Sequence, residues 1–262
     1  MCIRDSNTIL DGNQTGTVLK LSASTVAAEF VVEGLTLRKG TSSGLSAVVG
    51  PGGEVLVDNN SISGNTSESP YPSFGGGVYL SAPTATLTNN DISGNTASSG
   101  GGGVYLSAAT ATLTNNAISG NSASSGGGVY LSVTTATLTN NDISGNAFGW
   151  GGDGGGVYLS ATTATLTNND ISGNTFVSNP SVDFSRGGGV YLSVTTATLT
   201  NNDISGNTVY YGGDGGGLYV VFPGSEPQSS VALFNNLFWL NHATGYQGAD
   251  FHICLLYTSL AG

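Results

Sequence analysis

Around residue 160 the chain alternates apolar and polar side chains. Val157 and Leu159 fall on one side with Tyr158 opposite, Ala164 and Leu166 fall on one side with Thr165 and Thr167 opposite, and Ile171 follows after a break. A period of two over such short runs predicts β-strands buried on one face. Asn168, Asn169 and Gly173 stand between the runs, and Asn and Gly tolerate the left-handed backbone that a sharp bend requires. The segment therefore predicts three short strands separated by turns.

The phrase recurs along the chain. GGGVYLS begins at Gly75, Gly101, Gly126, Gly154 and Gly187, with a drifted GGGLYVV at Gly215. Successive copies start 26, 25, 28, 33 and 28 residues apart, yet the Val of GGGVYLS always precedes the Gly of ISGN by 16 residues. All length variation thus falls between SGN and GGG. VLVDNNSISGN at 55–65 is a worn upstream copy, and TILDGNQTGTVLKLS and EFVVEGLTLRKG continue the rhythm before it. One unit cannot bury its apolar edge alone, but units stacked at about 4.8 Å pair each strand with its equivalents above and below. The expectation is an all-β, single-stranded parallel β-helix of about eight coils, three short strands each, right-handed by the crossover rule. Its first coils (7–74) are imperfect, its regular repeats span 75–214 and its last coil (215–253) is degenerate.

GGGVY, TLTNNDISGN, TILDG and EGLTLRKG together resemble bacterial right-handed parallel β-helix repeat proteins, a group that includes surface-exposed and autotransporter-like adhesins. The resemblance spans roughly residues 8–251 and implies architecture more than activity, because proteins of this shape include polysaccharide lyases, hydrolases and adhesins. The ends look foreign. MCIRD (Met1 to Asp5), back-translated and reverse-complemented, reads CLLYT, which is Cys254 to Thr258. Such termini resemble read-through of a transposase sequencing adapter, so residues 1–6 and 254–262 are set aside and the rest of a longer chain is expected at both ends. Without its own end caps the segment is expected to fray or aggregate through open strand edges.

Composition narrows the function. The two cysteines, Cys2 and Cys254, lie in the set-aside ends, which excludes a disulfide framework and a CxxC metal site from the body. Five Lys and Arg against sixteen Asp and Glu make nucleic acid an unsuitable partner, since phosphate binding needs clustered cations. Lyases of this shape, as the resemblance implies, pair calcium with a Lys or Arg, and the regular repeats hold only Arg186. His242 and His252 are the sole histidines, so nucleophilic hydrolysis lacks a general base. The reading is therefore not an enzyme, with a carbohydrate-active lyase or hydrolase as the alternative.

Stacking turns each repeated residue into a column. Val78, Val104, Val129, Val157 and Val190 read as core, and Asn95, Asn121, Asn146, Asn174 and Asn207 as turn residues whose amides bridge coils. Tyr79, Tyr105, Tyr130, Tyr158, Tyr191 and Tyr219 point outward as an aromatic stripe able to hold a sugar or a partner protein, with Tyr130, Tyr158 and Tyr191 as binding candidates. Asp91, Asp142, Asp170 and Asp203 share a register interrupted by Ala117; they read as turn residues, and Asp142, Asp170 and Asp203 as candidate calcium ligands. The inserts at 147–153, 175–186 and 208–214 share one corner of three consecutive coils. Their Phe148, Trp150, Phe176, Phe184, Tyr210 and Tyr211, beside Asp153, Asp183 and Asp214, suit stacking and hydrogen bonding to a glycan, and the same rings suit packing over the end of the core and burying one another.

One further surface stands out. Thr86 with Thr88, Thr112 with Thr114, Thr137 with Thr139, Thr165 with Thr167 and Thr198 with Thr200 each flank an inward Leu. They form a charge-free, two-rank grid similar to the surface of ice-binding β-solenoids, and Thr also suits exposed strand positions anywhere. The expected function is an extracellular or cell-surface stalk, adhesin-like or glycan-binding, needing no cofactor, touching no membrane, and meeting a glycan or a neighbouring cell surface. Ice binding through the Thr grid is a second alternative.

Overall fold

From the third Gly of each GGG the chain enters an eleven-residue strand: Val78–Thr88, Val104–Thr114, Val129–Thr139, Val157–Thr167 or Val190–Thr200. No Gly or Asn interrupts this stretch, so the two strands read from the alternation are one in the regular coils. They separate only at the ends of the rod. Leu45–Val49 and Glu54–Asp58 pair with the two halves of Val78–Thr88, Gly50, Pro51, Gly52 and Gly53 lying between them. Leu218–Val221 and Ser230–Phe234 pair with the two halves of Val190–Thr200. The computed structural model describes residues 1–4, 8–67, 73–149, 152–176, 185–210, 213–223, 229–244 and 248–254.

Among the described residues a second sheet, the middle one, stacks nine three-residue strands such as Asp142–Ser144 and Asp170–Ser172. A third, narrow sheet stacks seven two-residue strands among the described residues, such as Ala147–Phe148 and Thr175–Phe176. Three strands per coil are therefore present with a different partition, and the seven rungs of the narrow sheet give about seven full turns rather than eight. Equivalent residues pair in parallel register, Val129 to Val157 to Val190 and Ile143 to Ile171 to Ile204.

The inward residues make a continuous core. Val, Leu, Leu and Ile of each regular coil are fully buried, as with Val157, Leu159, Leu166 and Ile171. Removing each such side chain from water stabilises the fold by roughly 1.5–3 kcal/mol. Turn chemistry sets the corners. Asn168 sits at φ 55°, the left-handed region Asn tolerates, while Asn169 beside it is buried. In GGG of the second regular coil, Gly101 has φ +66°, and a Cβ on Gly103 would lie 2.7 Å from the Gly128 carbonyl oxygen of the next coil. Close backbone approach between coils thus demands glycine as firmly as the turn does.

Two columns of buried asparagines run through the corners. Asn169 donates through Nδ2 to Leu138 O at 2.9 Å and to Asn202 Oδ1 at 2.9 Å, and through its backbone N–H to the same oxygen at 3.0 Å. Asn146 does likewise toward Ile118 O and Asn174 Oδ1. The column of Asn95, Asn121, Asn146, Asn174 and Asn207, expected to bridge coils, is fully buried and does so. Each amide satisfies its neighbour's donors, which is what makes a polar column tolerable in the interior.

Strand pairing reaches the stretches set aside as foreign. Cys2–Arg4 pairs with Val31–Glu33 and Phe251–Cys254 with Leu218–Val221. Parallel pairing needs only backbone amides, so an extended segment can extend an open sheet whatever its side chains.

Candidate functional site

The tyrosine column follows from alternation in the first half of the wide strands, where Val and Leu point inward and Tyr outward. Ring centroids succeed one another at 5.3 Å (Tyr79 to Tyr105), 5.2 Å (Tyr105 to Tyr130), 4.4 Å (Tyr130 to Tyr158), 5.0 Å (Tyr158 to Tyr191) and 5.7 Å (Tyr191 to Tyr219), with planes within 18° of parallel. Each interior ring therefore has both faces covered by its neighbours. A sugar or partner protein meeting Tyr130 and Tyr158 therefore cannot lie flat on their ring faces; these two residues are half-buried, and Tyr191 is buried. Burial, and then the neighbouring Tyr158, pushes the Tyr130 phenol up to about 12.

The column ends under a cation. Arg186 lies 5.3 Å from the ring centre of Tyr191 and 5.4 Å from that of Tyr219. Its Nε and Nη2 donate to Asp153 Oδ1 and Oδ2 at 3.0 and 2.8 Å, and its backbone N–H donates to Oδ1 at 2.9 Å. Asp153, Arg186 and Asp214 follow one another in register on three successive coils. Burial pushes the Asp153 carboxyl up from its ordinary value, while the guanidinium and the Arg186 amide pull it back. Burial likewise opposes the Arg186 charge, and Asp153 more than offsets it, so Arg186 holds its proton more tightly than usual. Asp153, expected to greet a glycan, is instead engaged in a bidentate pair with geometric as well as electrostatic preference for guanidinium. Asp214 is half-buried one rung beyond.

The aromatic corner divides. Phe148 and Phe176 are buried, their rings 5.2 Å apart at 66°, and with Val209 they form a small separate core. For these two rings the structure shows the packing side of the two readings the sequence leaves open. In each two-residue strand the first residue points out and the second in, so Ala97, Ala123, Phe148, Phe176 and Val209 are one inward column. The signal was present in the sequence as the second residue after every SGN. Tyr210 is exposed, its ring 6.0 Å from that of His242. Trp150, Asp183, Phe184 and Tyr211 lie outside the described residues.

The aspartate column lies on strands rather than in the bends. Asp142, Asp170 and Asp203 open successive strands of the middle sheet in direct register. Asp142 and Asp170 are exposed, and Asp203 is half-buried with Oδ1 shielded from solvent and without a hydrogen-bond partner among the described residues. A calcium ion takes six to eight oxygens, and this column offers one carboxylate per coil. Among the described residues no three His, Cys, Asp or Glu side chains converge as a metal-ligand group.

A family described as "Right handed beta helix region" matches the chain over residues 3–176 and again over 76–252. Comparison with curated proteins and with solved structures gave no match.

Proposed function

The chain belongs to the right-handed β-helix family, and from that premise we propose that it is a non-catalytic, adhesin-like stalk of an extracellular or surface-displayed protein, meeting a glycan or a neighbouring cell surface along its walls. One observation carries the reading: in the regular coils the buried amides and the Arg186–Asp153 pair hold the structure together, and outside, beside the aspartates of the middle sheet, hydroxyls repeat on every coil. The buried amides bond to one another, and Arg186 is pinned by Asp153 beside the Tyr191 and Tyr219 rings. Outward, each coil repeats Tyr, Ser and Thr, as in Tyr158, Ser160, Thr165 and Thr167. A polymer running along the rod meets the same weak hydrogen-bond donor and acceptor at each rung, so affinity accumulates with length.

A glycan array probed with the whole chain tests this. Binding that weakens when Tyr105, Tyr130 and Tyr158 are all changed to Phe supports the stalk's adhesive wall. An array without signal removes the adhesive part of the proposal. Calcium-dependent cleavage of a uronic-acid polymer replaces it with the enzyme reading.

A further inference from the structure

Each wide strand bends near its middle, where two successive residues, such as Pro83 with Thr84 or Thr162 with Thr163, both escape burial. Beyond the bend all five regular strands read Thr-Ala-Thr-Leu-Thr. The inward Ala and Leu are at most 4 % exposed, which drives every Thr to the outer surface. Three columns result, Thr84 to Thr196, Thr86 to Thr198 and Thr88 to Thr200, each running through all five rungs in register. Alternation around Leu reveals two of these columns; the third, Thr84, Thr110, Thr135, Thr163 and Thr196, emerges because the bend turns that residue onto the same face.

The face has sharp limits. On one side the next rung presents Glu54, Leu56 and Asp58, and on the other Ser230, Ala232 and Phe234. Between them stand threonines alone, without a charge. General β propensity accounts for Thr at any outward strand position, and the narrow sheet also carries outward Thr96, Thr175 and Thr208, but only here do three alternate positions hold Thr on every regular coil. The outward residues of the middle sheet are Asp and Ser, the aspartate column is broken by Ala117, and the residue just before the grid wanders through Pro83, Ala109, Thr134, Thr162 and Thr195. All fifteen positions of this array are Thr, whereas the position just before it and the aspartate column vary; the outward Ser81, Ser107, Ser132, Ser160 and Ser193 column on the same strands is likewise unbroken.

We propose that the Thr array is an ice-binding face, its ligand the surface of an ice crystal. Hydroxyls recur at about 6.6–6.8 Å along each strand and about 4.8 Å from rung to rung, two repeats close to those of water oxygens on a prism face of ice. Thr is stiff at χ1, so hydroxyls and methyls are held in ranks before any water arrives. Each hydroxyl can donate to and accept from lattice water, while the methyls between them confine that water laterally. A charge would order water radially around itself and spoil the lattice, and this face has none. The array shares its Thr hydroxyls with the wall of the stalk reading but lies apart from the tyrosine column that the glycan test changes, so the two readings fail on different measurements.

The test measures freezing hysteresis and ice recrystallisation for the whole chain, for Thr137→Tyr at the centre of the array, and for Ser144→Tyr on the middle sheet of the same coil. The wild type and Ser144→Tyr should both inhibit recrystallisation, and Thr137→Tyr should fall to the buffer baseline while keeping the wild-type thermal melt by circular dichroism. Should Thr137→Tyr melt early, Thr165→Lys reads the same face with a smaller steric change. A folded wild type without ice activity overturns the proposal, as does equal activity in all variants. A glycan-array signal without ice activity leaves the stalk standing and the ice face refuted, so the two failures are separable.

Discussion

Ile204 and Phe238 occupy the same inward position one coil apart, and Asn202 and Asn207 hand on to Asn236 and Asn241 in the same way. The outward residues beside them change completely. Where the last regular coil has Thr200, Asp203, Ser205 and Gly206, the terminal coil has Phe234, Leu237, Trp239 and Leu240, all exposed. Leu240 even takes a left-handed backbone, φ 52°, at a corner where the regular coils use Gly. Inside, then, the rules of packing persist into the worn coil; outside they lapse. The difference teaches that inward apolar residues and buried amides make the rod, and that outward columns are kept for some other reason. This is why an unbroken outward array, such as the threonines, carries functional information that the valines do not.

The asparagine columns offer the strongest way to break this comparison. Asn146→Ala removes the acceptor for both Asn121 donors and the donor for Ile118 O. Each buried group left unpaired costs about 1–3 kcal/mol, so the loss should reach roughly 3 kcal/mol or more. Asn236→Ala, half-buried in the terminal coil where water can replace the amide, should lose about 1 kcal/mol. Equal losses in urea unfolding would mean that the ends of the rod are as closed as its middle. Next in size, Leu138→Ala in the core of a central coil should cost about 2–5 kcal/mol, and half-buried Leu233→Ala distinctly less.

Arg186→Ala should destabilise by about 1–3 kcal/mol by stranding the Asp153 carboxylate. The double change with Asp153→Asn should recover part of that loss, and strict additivity would show that the pair is not coupled. Leu240→Gly should stabilise by up to about 1 kcal/mol, because a left-handed backbone costs an L side chain roughly 1–2 kcal/mol. The converse Gly206→Leu should destabilise by a similar amount, which thermal melts of the two variants compare directly.

The smallest effect belongs to the opening coils. The Asn13 backbone amide, then Lys39 and Arg38, hold the Asp11 carboxyl down at about 2, against an ordinary 3.8. A group whose folded value is depressed contributes stability above the ordinary value and loses it as pH falls through the folded one. NMR titration of Asp11 should give a midpoint near 2, and Asp11→Asn should flatten the stability profile between about pH 4 and pH 2. A midpoint near 3.8 would show that the three contacts do not persist in solution.

Much of this molecule was legible in its residues. Period-two alternation, turn residues at constant offsets and a phrase repeated with one variable corner led to stacked parallel coils, because a rung that cannot bury itself must stack, and identical rungs stack in register. What the chain could not reveal alone depends on neighbours it does not sit beside in sequence. Whether a tyrosine faces solvent or another ring, whether Phe148 and Phe176 reach outward or fill a gap, and whether Asp153 waits for a ligand or already grips Arg186 were decided between coils 28 to 33 residues apart. The third threonine column came from the same source: a bend in a continuous strand moved one residue per coil onto a shared face. Local pattern determines which side of a strand a residue takes, and stacking alone determines what meets it there.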